Sequence, residues 1–243
     1  MSNAYESVYH STEHITTNDV GIGTASSNPF EYLARGKALL GNDYWTFVLM
    51  SFIALFLGSL VPFGLLMAPM MVGMYQSLIA KERGEPIEVG MVFKGFDRFV
   101  DAFLVVLILT GILMVVMVPF SIVLIILMIA ASNDPTSSLI VTLLSLPVML
   151  LLALFGNFPL MFAYQLIADR GTVAFTAIKL SWKAAWKNAL AVILLVLVSG
   201  LIGMFLSLLC FFPFFLFLPI SFASMFVLYR DVFGGGPTPA QPY

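Results

Sequence analysis

Residues 102–168 read AFLVVLILTGILMVVMVPFSIVLIILMIAASNDPTSSLIVTLLSLPVMLLLALFGNFPLMFAYQLIA and hold a single charge, Asp134. A hydrocarbon core about 30 Å thick takes about 20 helical residues at about 1.5 Å each, so the stretch is long enough for two crossings. Ser132, Asn133, Asp134, Pro135, Thr136, Ser137 and Ser138 form the polar break between them. Proline has no N–H and disfavours helix at the residue before it, which places the turn there.

Two further uncharged stretches, 44–80 and 189–229, are each roughly twice the length that one crossing needs. Their breaks fall at Val61-Pro62-Phe63-Gly64 and at Phe211-Phe212-Pro213. The pattern predicts an all-α polytopic membrane bundle of about six helices arranged as three hairpins, near 44–61, 64–80, 102–130, 139–168, 189–210 and 213–229. For the first and third hairpins a re-entrant course is the alternative, because each half only just spans.

Composition agrees. Of the 243 residues, 60% are apolar and 10% charged, against roughly 45–50% and about 25% in soluble proteins. So few ionisable side chains cannot cover a water-facing surface of this size. A net charge of −2 and one cysteine also disfavour nucleic-acid binders and disulfide-built secreted modules.

Six crossings put all 11 Lys and Arg on one side, which the positive-inside rule makes cytoplasmic, with both termini there. Trp45, Trp182 and Trp186 fall at the same face, as do Tyr44, Tyr75, Tyr164 and Tyr229. The first apolar run begins only at Tyr44, so no cleavable signal peptide is expected and the first helix serves as its own insertion signal. The location implied is the cytoplasmic (inner) membrane. Residues 1–27 and the Gly/Pro-rich 234–243 read as disordered tails flanking one transmembrane domain, 28–233.

An amphipathic segment precedes each hairpin, giving units 28–83, 84–170 and 171–233. The first opens on Asn28-Pro29-Phe30-Glu31, with a capping Asn, a proline suited to the first helical position and an acid in the first turn. In the second, Phe93, Phe96, Val100 and Phe103 share one face at α-helical spacing, opposite Lys94, Asp97, Arg98 and Asp101. The third, from Thr172 to Ala189, carries Phe175, Ile178, Trp182, Trp186 and Ala189 beside Lys179, Lys183 and Lys187. Rings at the acyl boundary and lysines reaching headgroups suit a helix lying in the interface, so Lys179, Lys183, Lys187, Trp182 and Trp186 are candidate lipid contacts. A weak repeat runs through the units: Tyr75-Gln76 and Leu78-Ile79-Ala80 with Arg83-Gly84 parallel Tyr164-Gln165-Leu166-Ile167-Ala168 with Arg170-Gly171, and Tyr229-Arg230-Asp231 stands in the third.

Candidate chemistry is sparse. His10, Glu13 and His14 match the letters of a zinc motif but lack a third ligand and a fixed helix. Gly21-Ile22-Gly23 follows no strand, and Cys210 is a lone thiol in an apolar run. The crossings contain no ionisable Asp, Glu, Lys, Arg or His, which argues against ion-coupled transport and intramembrane catalysis. Neither cofactor nor metal is implied. Asn157, Tyr164 and Gln165 on one helix face, with Gln76 in the corresponding place on the second crossing, form the strongest polar intramembrane cluster. Ser199, Gly203 and Ser207 make a small-residue face suited to close helix approach, within the bundle or between subunits of a homo-oligomer or with a membrane-protein partner.

The run from Pro159-Leu160-Met161 to Asp169-Arg170-Gly171, with Ala177, Leu180-Ser181-Trp182 and Trp186, resembles a group of bacterial multi-pass membrane proteins. These are related to the membrane domain of some glycerophosphodiester phosphodiesterases. The resemblance covers residues 140–233 and implies a six-helix inner-membrane protein; the phosphodiesterase domain itself is absent, so no activity or site residue carries over. The sequence reading is therefore a non-enzymatic membrane protein with a lipid-interacting or envelope-scaffold role. The alternative is a carrier or channel for a lipophilic or uncharged solute, suggested by Pro62, Pro69, Pro119, Pro147, Pro159, Pro213 and Pro219 within the apolar runs.

Overall fold

The computed structural model describes residues 21–60, 65–158, 161–209 and 211–234. Every regular element among them is helical: α1 (Pro29–Leu40), a short 3-10 helix (Gly41–Asp43), α2 (Tyr44–Leu60), α3 (Met67–Glu82), a longer 3-10 helix (Val89–Arg98), α4 (Phe99–Ala131), α5 (Pro135–Asn157), α6 (Ala163–Arg170), α7 (Ala174–Lys187), α8 (Ala189–Leu209) and α9 (Phe211–Phe233). Four helical stretches are long and apolar enough to cross a membrane: Pro29–Leu60, Val89–Ala131, Ala189–Leu209 and Phe212–Phe233. A shorter apolar helix, Pro135–Met149, joins them. Val61–Gly64, Pro159, Cys210, His10, Glu13 and His14 lie outside the described residues.

Local chemistry sets the helix ends. The Asn28 side chain accepts from the Phe30 N–H at 3.2 Å, with Pro29 at the first helical position. Glu31 turns instead to Arg35, 3.5 Å away along the helix. Asp134 caps α5, accepting from the backbone N–H groups of Thr136 and Ser137 at 3.1 Å each and from the Ser137 hydroxyl at 2.6 Å. These hydrogen bonds, the Ser137 hydroxyl foremost, hold its carboxyl below the ordinary range. Gly84 and Gly171 take positive φ, +74° and +59°, just beyond the ends of α3 and α6.

α3 is the hub. It is buried along nearly its whole length, from Ala68 to Ala80, under the 3-10 helix, α6, α2 and α4. The contact with the 3-10 helix is backbone on backbone: a Cβ added at Gly73 would overlap the Val92 carbonyl, and one at Gly95 would overlap the Pro69 carbonyl. That closeness explains a departure from the expected α-helical face. Over Val89–Arg98 the buried residues are Met91, Val92 and Gly95, while Phe93 faces outward. The phenylalanine rings meet at i, i+3 spacing, Phe93 tilted against Phe96 and Phe96 stacked on Phe99, where a 3-10 helix eclipses side chains. The spacing becomes i, i+4, Phe99 to Phe103, once α4 begins.

α1 lies along α9 through a similar close approach, since a Cβ at Gly36 would sit 2.6 Å from the Ser224 nitrogen. Arg35 clamps Asp231 with two hydrogen bonds of 2.7 and 2.8 Å. Pro213, expected at a turn, falls inside the first turn of α9, where a missing N–H costs no helical hydrogen bond. The expected helix 139–168 is two helices: α5 ends at Asn157 and α6 starts at Ala163, with the Phe162 N–H given to the Ser181 hydroxyl at 3.0 Å. Residues 21–27, read from sequence as part of a tail, lie in the groove beside α7 and α9. Gly23 N–H donates to Val232 O at 2.7 Å, Ala25 N–H to Asn188 Oδ1 at 2.8 Å, and Asn188 Nδ2 to Gly23 O at 3.2 Å.

Large apolar side chains face outward on α2 from Leu49 to Leu60, along α4 from Leu104 to Ile129, on α5 from Leu139 to Leu151, and from Leu201 to Phe212. Val115 on α4 is 75% exposed. Water would not tolerate apolar surface on this scale; lipid does.

Candidate functional site

α7 starts where the Ala174 N–H meets Asp101 at 3.1 Å and ends at Asn188. Its protein-facing side is made of small residues, Ala174, Ala177, Ser181, Ala184 and Ala185, with Leu180 among them. Small side chains let α7 press against α6, α4 and α8. Trp182 and Trp186 are 44% and 46% exposed and share the outward side with Phe175, Lys179, Lys183 and Lys187. Rings and ammonium groups therefore occupy one surface, where the sequence pattern expects an apolar stripe flanked by lysines. The alanines, which sequence reading passes over, are what seat the helix.

The five residues differ in their surroundings. Trp182 and Trp186 meet edge to face at 5.8 Å, and Trp186 also rests on Phe158 at 5.4 Å. The Lys179 ammonium stands 6.0 Å from the centre of the Phe175 ring. Lys187 donates to the Ile22 carbonyl, tying α7 to the segment that precedes α1. Among the described residues, no carboxylate pairs with Lys179 or Lys183. α7 thus presents two cations, without a carboxylate partner among the described residues, beside two indoles.

Gln76, Tyr164 and Gln165 of the expected polar cluster lie on α3 and α6, which pack together. The Gln165 carboxamide lies beside the Tyr75 hydroxyl, with Tyr164 close by. Gln165 is 1% exposed, and neither of its amide atoms reaches a partner in hydrogen-bond geometry; the same holds for Oε1 of Gln76. Asn157 closes α5, and its side chain lies outside the described residues.

A second cluster joins the ends of α3, α6 and α9. Arg230 reaches Glu82 at 2.6 Å and Asp169 at 3.1 Å, while the Tyr229 hydroxyl donates to Asp169 at 2.8 Å. Arg170 donates to the Phe233 carbonyl at 2.8 Å. Glu82 and Asp169 each stand two residues before a glycine of positive φ, so Arg230 bridges two acids in matching local settings. The repeated acid-Arg-Gly ending, Glu82-Arg83-Gly84 and Asp169-Arg170-Gly171, is the sequence signal that marks these acids.

The geometry can hold an amphiphile: apolar helices exposed on several sides, and one helix offering indoles and, among the described residues, two ammonium groups without a carboxylate partner. The chain matches no family model, and neither the curated proteins nor the solved structures supply a similar chain.

Proposed function

We propose that this chain is a non-enzymatic multi-pass protein of the bacterial inner membrane, with six crossings in three hairpins and both termini cytoplasmic. In this reading it acts by engaging anionic lipid along α7, as a lipid-interacting or scaffold component of the envelope. The observation that carries it is the outward face of α7, where Lys179 and Lys183 have no carboxylate partner among the described residues and stand beside Trp182 and Trp186. An ammonium close to an anionic membrane surface gains about 1 kcal/mol, and indoles favour the headgroup level.

The threefold plan is supported by the way each amphipathic segment is bounded. All three begin behind an extended residue, Asn28, Glu88 and Val173. The second and third end on nearly the same bend, Arg98 at φ −114°, ψ 29° and Asn188 at φ −112°, ψ 29°; the first ends in the turn Gly41–Asp43. Each then leads into an apolar helix.

Replacing Lys179, Lys183 and Lys187 together by Glu tests the reading. Native mass spectrometry of the purified protein should show the preference for anionic over zwitterionic lipid lost; an unchanged preference ends this proposal. Reporter fusions at Pro135 and Tyr243 test the topology, which requires them to report opposite sides.

A second reading, a carrier or channel for a lipophilic or uncharged solute, is favoured by the buried amide atoms of Gln165 and Oε1 of Gln76, which reach no partner in hydrogen-bond geometry among the described residues. Uptake by proteoliposomes that Gln165→Leu abolishes would support it over the first.

A further inference from the structure

α4, α5 and α7 enclose a groove of about 490 Å³. It exists because of a near contact and a divergence. Gly156 lets α5 come against Leu113 of α4, where any Cβ would overlap the leucine methyl. Beside that touching point the helices leave a slot walled by Leu113 and Val116 on one side and Leu152 on the other. Ile178, Lys179 and Trp182 of α7 close one end. The volume lies within the range of about 300–1,000 Å³ usual for small-ligand cavities.

The lining is apolar apart from that one end. Val116 also belongs to the outward apolar surface of α4, so the slot opens sideways onto the surface that faces lipid. An occupant must therefore be hydrocarbon over most of its length and anionic where Lys179 stands. The Lys179 ammonium stands over the Phe175 ring and pairs with no carboxylate among the described residues, and Trp182, whose indole carries an N–H donor, lines the same end of the groove.

We infer that this groove is a specific site for one anionic phospholipid, with an acyl chain between Val116 and Leu152 and the phosphate at Lys179 and Trp182. The inference rests on the lipid-facing reading of α7 and goes further, from a surface that favours anionic lipid to a single bound molecule. Apolar walls bind the chain by removing its surface from the bulk, and the cation selects the headgroup.

The experiment uses the full chain in a neutral detergent, with native mass spectrometry during titration of phosphatidylglycerol or phosphatidylcholine. The wild type should hold one phosphatidylglycerol at a concentration roughly tenfold below that needed for phosphatidylcholine. Val116→Trp, a change at a partly exposed wall residue, should fill the slot and remove the single tightly held lipid. Lys179→Glu should leave the slot but abolish the headgroup preference. Lys183→Glu, on the same face of α7 but outside the groove lining, should weaken loosely held anionic lipid and leave the single molecule in place. Unchanged elution and helical circular dichroism certify that each variant is folded. If Val116→Trp retains the lipid as the wild type does, or if both lipids are held equally, the groove proposal is overturned. The broader reading of α7 then stands or falls separately, on whether the triple lysine variant loses its surrounding anionic lipid. A single lipid that survives Lys179→Glu with its preference intact also overturns the proposal.

Discussion

The hub around α3 and the outer length of α4 and α5 are built from the same apolar alphabet and have opposite fates. Around α3, chain meets chain through Gly73 and Gly95, and side chains such as Met70, Val72 and Leu78 are fully covered. Along α4 and α5, Leu, Ile and Val point outward from Leu104 to Leu151. Lipid tails are as apolar as a leucine side chain, so hydrophobicity does not decide which helix surfaces meet. Close packing and buried polar contacts do, and small residues permit both. The contrast separates two kinds of membrane-protein surface, one that recognises protein and one that recognises lipid.

Glycine substitutions break this comparison most sharply. Gly73→Val or Gly95→Val should cost more than about 4 kcal/mol and prevent a stable fold, because the backbone on which the Cβ would intrude has nowhere to move. Gly111→Ala in α4 and Gly200→Ala in α8, where a Cβ meets nothing within 4 Å, should be neutral or stabilise by about 0.5–1 kcal/mol through helix propensity. Thermal unfolding followed by size-exclusion chromatography reads both. Equal losses at Gly73 and Gly111 would show that the hub is not held by backbone contact.

The charge cluster comes next. Arg230→Ala leaves Glu82 and Asp169 facing each other across a partly buried site, and should lower stability by about 2–3 kcal/mol, discounted for its partial exposure. Glu82→Gln in that background should restore part of the loss. Arg230→Ala with a melting temperature equal to wild type would remove the arginine from the account of how α3, α6 and α9 are joined.

A smaller effect of opposite sign is expected at Gln165. Its amide atoms are buried without partners, so Gln165→Met should leave stability unchanged or raise it by about 1 kcal/mol. A clear drop would reveal polar contacts that matter to folding.

The smallest expected effect is at Asp134. Its carboxyl is held below the unfolded value by the Ser137 and Thr136 hydrogen bonds, so the stability it adds is present above the unfolded pKa. It is lost as pH falls through the folded, depressed pKa. An acid melting series should show this loss in the wild type and lack it in Asp134→Asn.

Much of the helical plan was legible because its signals are local. Asn28 and Pro29 start α1 as the motif requires, and the polar break at 132–138 marks the turn between α4 and α5, although α5 begins at Pro135, inside that break, rather than at 139. The split near residue 160 and the 3-10 form of Val89–Arg98 were not, since both follow from long-range contacts: Ser181 receiving the Phe162 N–H, and Gly73 meeting Gly95. For the site, residue types and spacing pointed to α7 with its tryptophans and lysines on the outer side, but not to the face that seats it. Alanine reads as weakly apolar on any scale, whereas in the fold the alanines are what packs. Nothing local could have placed Lys187 on the Ile22 carbonyl, a contact between residues far apart in the chain.

The central claim is that the outward face of α7 lies at the lipid headgroup boundary. Tryptophan fluorescence tests it directly, in a Trp45→Phe variant reconstituted in bilayers that carry bromine at defined depths on the acyl chains. Trp182 and Trp186 should be quenched most strongly by bromine nearest the headgroups, and more strongly when the brominated lipid is anionic. Emission quenched by aqueous acrylamide and indifferent to brominated lipid at any depth would contradict it.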